Sequence, residues 1–160
     1  MIAQLRVPVG GAAESRWTVD RIENGVEKFA RRYERYDRCD IANQLYDMLL
    51  AAEPDRVFIL RKKAACYRTL GQEEDFDKAL EEAIAIDLRK LAADPWRASV
   101  NQSLVRSYRL AGDDERAQVH LDNALEIGVS RIMSRPNSAS AAYSYARTLQ
   151  LARRHEEALE

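Results

Sequence analysis

The chain has 160 residues, 46% of them hydrophobic, and its 25 basic and 26 acidic residues give a net charge of −1. This balance argues against a partner recruited by bulk charge, such as a nucleic acid or a membrane surface, and no apolar run approaches the roughly 20 residues that span a bilayer. Only six glycines and four prolines interrupt a composition rich in alanine, leucine, arginine and glutamate, which favours helices.

The N-terminal segment, residues 1–16, differs from the rest of the chain. It combines Pro8, Gly10 and Gly11 with scattered apolar residues, so the sequence predicts an extended or disordered leader. Asp20 and Glu23 have the spacing of a capping box, which predicts the start of the first helix there. No charged n-region precedes a long apolar stretch, so no secretory signal is visible and a cytoplasmic location is predicted.

Beyond the first helices, the sequence repeats itself. Tyr67-Arg68 recurs 41 residues later as Tyr108-Arg109. The same interval relates Gly71 to Gly112, Leu80 to Leu121, Ala83 to Ala124, Ile86 to Ile127, Pro95 to Pro136, Ser103 to Ser144, and Arg106 to Arg147. A period of this length is typical of stacked helical repeats, in which each unit buries one face on its neighbour. The pattern therefore predicts an all-α solenoid.

These residues resemble the tetratricopeptide repeat family, whose helix–turn–helix unit is usually about 34 residues long. The matching residues are Ala30, Tyr33, Ala42, Tyr46 and Pro54, then Ala64, Tyr67, Gly71, Leu80 and Ala83, then Val105, Tyr108, Gly112, Ala117, Leu121 and Ala124, and finally Ala146, Leu149 and Ala158. Asp37, Leu49 and Phe76 depart from the family pattern. The resemblance implies a right-handed superhelix over residues 17–160, with units at about 20–54, 55–95, 96–136 and a truncated 137–160.

The second and third units are longer than the family unit, and the additional residues keep helical spacing. We therefore expect lengthened second helices at about 73–93 and 114–134, with a break at Gly128 as the competing interpretation. Asp113 and Ser138 can cap the helices that follow them. The residues at the family's aromatic position, Tyr33, Tyr67 and Tyr108, are predicted to be mostly buried.

The chain stops at Leu159-Glu160, inside a helical pattern, which favours a fragment of a longer protein. A new second helix is expected to start in residues 155–160, too short to cover the first. The apolar side of Leu149, Leu151 and Ala152 is then predicted to be exposed, covered by a neighbour or paired in a dimer.

Charge is segregated between the two sets of helices. The first helices of units two to four contain no acidic residue, whereas the second helices are rich in aspartate and glutamate. In the resembled family, first helices line a groove. The residues predicted to bind a partner there are Phe58, Arg61, Arg68, Gln102, Arg106, Arg109, Tyr143 and Arg147. Two alternatives that involve no ligand stay open: the arginines are ordinary solvated charges, or they pair with acidic residues of adjacent second helices.

No catalytic or metal-binding pattern is visible. His120 and His155 have no partner at metal-ligand spacing, Cys39 and Cys66 are predicted to be buried free thiols, and no cofactor is expected. The leading hypothesis is a non-enzymatic interaction module that binds an acidic peptide or partner domain. The alternatives are a scaffold or regulatory segment of a larger multidomain enzyme, and a helical-repeat RNA binder, which the scarcity of groove aromatics disfavours.

Overall fold

The computed structural model describes the backbone of residues 12–159 and the side chains of residues 21–153. In this part of the chain all regular structure is α-helical, which confirms the predicted fold class. The seven helices are α1 (Ala12–Arg35), α2 (Cys39–Ala52), α3 (Val57–Thr69), α4 (Glu73–Ala93), α5 (Ala98–Ala111), α6 (Asp114–Ser134) and α7 (Ala139–Leu159). None of them combines the length and apolarity needed to cross a membrane.

Each helix packs on the next one along the chain, so the helices form sequential pairs. In addition, α3 contacts α5 and α5 contacts α7. The odd-numbered helices from α3 onward, the first helices, therefore form one contiguous layer. The second helices α2, α4 and α6 pack against them, and their packing produces the small buried clusters that follow one another along the array.

The turn within each helix pair uses a left-handed residue. Gly71 has φ 72° and Gly112 has φ 77°. In each turn the amide of the residue after the glycine donates to a tyrosine carbonyl five residues earlier, Gln72 to Tyr67 and Asp113 to Tyr108. Asp37 takes the same role in the first pair with φ 56°, which explains how this departure from the family glycine is accommodated. As predicted, Asp113 caps α6 by accepting from the Arg116 amide, and the Ser138 hydroxyl accepts from the Ala141 amide.

The lengthened helices are confirmed at the predicted bounds, because α4 and α6 run unbroken over Glu73–Ala93 and Asp114–Ser134. The competing break at Gly128 is wrong. Gly128 is buried inside α6, and a Cβ there would lie 2.5 Å from Cδ2 of Tyr145 on α7. The glycine thus permits a close approach of the two helices.

The three tyrosines are mostly buried, as predicted. Tyr108 is 4% exposed, whereas Tyr33 and Tyr67 are partly buried and pack against the core clusters. Tyr67 lines an open surface cleft beside Lys63, whose ammonium lies over its ring, so water reaches one side of the ring. The fully buried tyrosine is Tyr46 on α2, next to Ala30 and Ile59.

Both ends of the array differ from expectation. α1 already begins at Ala12, so Asp20 and Glu23 lie inside a helix and do not cap its start. The predicted turn before residue 155 is also absent, since α7 continues to Leu159. Leu151 is buried against Val105 and Leu121, contrary to its predicted exposure. The leader up to residue 11 and the side chain of His155 lie outside the described residues.

The missing turn and the partial burial of α7 have local explanations. Arg153 occupies the position equivalent to Gly71 and Gly112, so no glycine is available for a left-handed turn there. Leu151 faces the preceding unit and is buried by it. Leu149 faces the side where the other units place their own second helix, and it is 46% exposed, as predicted.

Candidate functional site

A groove of about 470 Å³ lies across α3, α5 and α7, and it brings together five residues of the predicted site. These residues are Phe58, Arg61, Gln102, Arg106 and Arg147. Lys62, Ser99, Ser103 and Leu110 complete the lining, which we call the central groove. The lining contains no acidic side chain, so the groove presents four cations to solvent or to a ligand.

Arg61 is the most deeply placed of these cations. Its Nη1 donates to the Ser103 carbonyl at 2.8 Å, to the Ser103 hydroxyl at 2.6 Å and to the Ser107 hydroxyl at 3.4 Å. Burial, together with repulsion from Arg106, lowers the pKa of Arg61 to about 10. The nearby Asp87 carboxyl favours the charged guanidinium and so opposes this change. Burial raises the pKa of Asp87 itself, although the hydrogen bond from Ser103 and the charge of Arg61 act to lower it.

Four predicted or groove-lining side chains form a regular series of hydrogen bonds between first helices. Arg61 donates to the carbonyl of Ser103, Arg68 to that of Leu110, Gln102 to that of Ser144, and Arg109 to that of Leu151. Each acceptor lies 42 residues after its donor. Because the sequence period is 41, each donor reaches the carbonyl one residue beyond its own equivalent in the next unit. We call this series the first-helix ladder.

Residues that donate hydrogen bonds in the first-helix ladder are less available to bind a ligand. Gln102 is 3% exposed, and its Nε2 also donates to the Thr148 hydroxyl at 2.8 Å. Arg68 and Arg109 lie outside the central groove lining, and burial lowers the pKa of Arg109. The hydrogen bonds of Arg68 and Arg109 go to backbone carbonyls of the next first helix rather than to the second-helix carboxylates considered above.

Arg147 and the aromatic residues are the open part of the site. Arg147 and Tyr143 are exposed on α7, with the Arg147 guanidinium 5.9 Å from the Tyr143 ring centre. Phe58 is 40% exposed, and Arg31 of α1 lies 5.0 Å from its ring centre. Arg106 is half-buried and donates to the Gln102 carbonyl at 3.0 Å. Tyr143 does not line the central groove itself.

Sequence analysis missed a second basic region, on α1. Lys28, Arg32 and Arg35 line a pocket of about 730 Å³ together with Lys62, which also lines the central groove. Their spacing of four and three residues places the three side chains on one face of a helix, a pattern readable in the sequence. The prediction rested on helices without acidic residues, and α1 is not one of them because it contains acidic residues.

Among the described side chains, His120, Cys39 and Cys66 pack within the helical array. The His120 ring stacks on Tyr108 with ring centres 5.4 Å apart, its Nδ1 lies 2.9 Å from the Asn101 side-chain oxygen, and burial lowers its pKa. Cys39 and Cys66 are buried free thiols, as predicted, and burial raises the pKa of Cys66. Among the described residues, no three acidic, histidine or cysteine side chains converge as metal ligands.

Comparisons with known proteins place this geometry beside other helical repeats. No family model matches the chain, and no curated protein matches it. Among solved structures, the first TPR of Spaghetti (RPAP3) bound to HSP90 peptide SRMEEVD is similar at 15% identity and TM-score 0.44, with 80% of this chain and 93% of that one covered. The Sgt2 TPR domain from Aspergillus fumigatus is similar at 17% identity and TM-score 0.43, covering 86% and 83%.

A third similar structure is the Podospora anserina putative kinesin light chain with nearly identical TPR-like repeats. It has 23% identity and TM-score 0.48, and the match covers 84% of this chain and 69% of that one. At these identities the similarity concerns the arrangement of helices only. The longer unit of 41 residues, and the domain boundaries derived from it, stay predictions.

Proposed function

We propose that this chain is a protein-binding module that holds an acidic peptide segment in the central groove. The observation that supports the proposal is the groove lining, in which Arg61, Lys62, Arg106 and Arg147 surround a volume of about 470 Å³ without a carboxylate. Arginine is well suited to such a ligand because its guanidinium forms paired hydrogen bonds with carboxylates. Three such contacts at about 3 kcal/mol each correspond to roughly micromolar affinity.

The groove residues divide into those that shape the groove and those that would contact the ligand. Arg61 and Gln102 are engaged in the first-helix ladder, so their role is to set the groove floor and its positive potential. Arg147 and Phe58 are exposed and offer a charge and an apolar ring at opposite ends of the lining. Lys62 is held by Glu34 at 2.9 Å and contributes less net charge.

A binding experiment with a defined probe tests this proposal. We expect a fluorescein-labelled glutamate-rich peptide to bind the protein in an anisotropy titration, and we expect Arg147→Glu and Phe58→Ala to weaken binding. Arg89→Glu is the matched control, because Arg89 is exposed on α4 and changes the net charge equally without lining the groove. Binding should also weaken as salt rises, since groove charges are screened over about 8–10 Å at physiological ionic strength.

Two outcomes of these binding measurements would contradict the proposal. Equal losses in Arg147→Glu and Arg89→Glu would mean that only net charge matters, and the groove would not be the binding site. A single-stranded RNA probe that binds more tightly than the peptide, with the same dependence on Arg147, would favour the nucleic-acid alternative. The circular dichroism spectrum of each variant should match that of the unmodified protein, because all three replaced side chains are exposed.

A further inference from the structure

The basic pocket on α1 is not explained by the central groove. Its cations are Lys28, Arg31, Arg32 and Arg35 of α1 and Lys62 of α3, and Phe29, which is 58% exposed, forms part of the wall. Lys28, Arg32 and Arg35 lie on one face of the helix, where like charges repel one another. A surface that concentrates positive charge in this way gains most from a ligand that neutralises it.

Ion pairing removes only part of this charge. Lys62 pairs with Glu34 at 2.9 Å, and Arg31 pairs with Glu27 at 2.6 Å. Within residues 21–153 no salt bridge involves Lys28, Arg32 or Arg35. These three side chains are also exposed, so their charged groups are accessible from solvent.

The α1 pocket and the central groove are continuous. Lys62 lines both of them, and Arg31 of the α1 pocket lies 5.0 Å from the ring centre of Phe58, which lines the groove. Glu34 also lines the α1 pocket, but it is engaged by Lys62 at 2.9 Å, so an extended peptide in the central groove would pass onto the α1 pocket beside a carboxylate that is already paired. The two surfaces suit different parts of a single ligand.

We propose that Lys28, Arg32 and Arg35 bind a phosphorylated side chain of the same peptide that occupies the central groove. This inference rests on the proposed function. A phosphate group carries a charge of about −1.5 to −2 and three acceptor oxygens, and so matches three neighbouring cations better than a carboxylate does. Two of the three are arginines, which bind phosphate oxygens in pairs.

The aromatic residues favour a phosphopeptide over an RNA strand. Bases bind single-stranded sites largely by stacking on open aromatic faces. Here Arg31 lies over Phe58, Arg32 lies 5.9 Å from the ring centre of Tyr36, and Arg147 lies over Tyr143. One face of each of these rings is thus occupied by a guanidinium, which leaves charge rather than stacking surface as the main feature of the site.

The test compares matched peptides on matched variants. The probes are the glutamate-rich peptide described above and two forms of it that carry one phosphoserine, at the N-terminal or the C-terminal end, because peptide direction is open. On the unmodified protein we expect one phosphorylated form to bind about tenfold more tightly than the unphosphorylated peptide. In the double variant Arg32→Ala, Arg35→Ala this ratio should fall to near one. Alanine preserves the helix, since it has the highest helix propensity.

Two further variants separate this inference from the proposed function. Arg147→Ala should weaken binding of the unphosphorylated peptide and of the tighter phosphorylated form and leave the ratio of their affinities unchanged, whereas Arg89→Ala should change neither affinity. If the ratio is near one for both phosphorylated forms on the unmodified protein, or survives the double variant, the inference is overturned while groove binding stands. If none of the three peptides binds, both proposals are overturned. RNA binding that exceeds phosphopeptide binding and requires Arg32 and Arg35 also overturns the inference.

Discussion

Replacing Gly128 with alanine should destabilise this protein, although the same change stabilises most helices. Gly128 lies in the interior of α6, where alanine is ordinarily favoured over glycine by about 0.5–1 kcal/mol. The new Cβ, however, would lie 2.5 Å from Cδ2, 3.3 Å from Cγ and 3.4 Å from Cβ of Tyr145. Contact with the root of the ring, rather than with a flexible end, leaves the side chain little room to move.

The two effects have opposite signs, and the steric one should be larger. Forcing additional atoms into a packed interface costs about 1–3 kcal/mol. After subtraction of the gain in helix propensity, we expect Gly128→Ala to lower the free energy of unfolding by about 0.5–2 kcal/mol. For a chain of this length, each kcal/mol corresponds to a shift of about 2–4 °C in melting temperature.

Urea denaturation followed by circular dichroism measures this change, and Gly25→Ala is the matched control. Gly25 is also inside a helix, but a Cβ there meets no atom within 4 Å, so this variant should gain about 0.5–1 kcal/mol. A double-mutant cycle with Tyr145→Ala should show positive coupling, because removing the ring removes the clash. If Gly128→Ala is as stabilising as Gly25→Ala, the close approach of α6 and α7 is not a constraint and the reasoning fails.

Three other variants probe the ladder, a turn and pH dependence. Gln102→Ala should cost about 1–3 kcal/mol in chemical denaturation, because two buried hydrogen bonds from Gln102, to the Thr148 hydroxyl and to the Ser144 carbonyl, are lost, although the Ser144 carbonyl still accepts from the Thr148 hydroxyl. Exposed Gln118→Ala should not have this cost. Gly112→Ala should cost about 1–2 kcal/mol, since φ is 77° there, and an unchanged midpoint would contradict this. Burial lowers the pKa of His120, so its stabilising contribution is present above the ordinary value near 6.5 and is lost as pH falls through the lowered pKa. His120→Gln should therefore flatten the fall in melting temperature as the pH drops below about 6.5.

The bounds of the second helices α4 and α6 were predictable because the local sequence features that mark helix starts and ends agree with one another there. Proline and glycine mark the turns, Asp113 caps α6, and apolar spacing continues to the observed ends of α4 and α6. At the ends of the array such signals compete. The Asp20 and Glu23 pair looked like a helix start inside what is a longer helix, and Arg153 replaces the glycine on which the predicted last turn depended.

The central groove was predictable in composition but not in detail. Charge segregation along the sequence placed Arg61, Arg106 and Arg147 on one surface, and they do line one groove. The first-helix ladder depends on the offset between neighbouring helices, which the periodicity of a single helix does not contain. Gln102 was therefore expected to face a partner, whereas it is buried between α5 and α7.

The first-helix ladder also has a mechanical consequence for the array. Its hydrogen bonds cross between successive units at fixed intervals, so they resist bending and sliding of one unit against the next. Arg61 belongs to the ladder and to the groove at once. A ligand carboxylate that took Nη1 of Arg61 would displace the Ser103 carbonyl and loosen the junction between α3 and α5. Arg68 would still join α3 to α5 through the Leu110 carbonyl, so ligand binding at Arg61 would weaken this junction without breaking it.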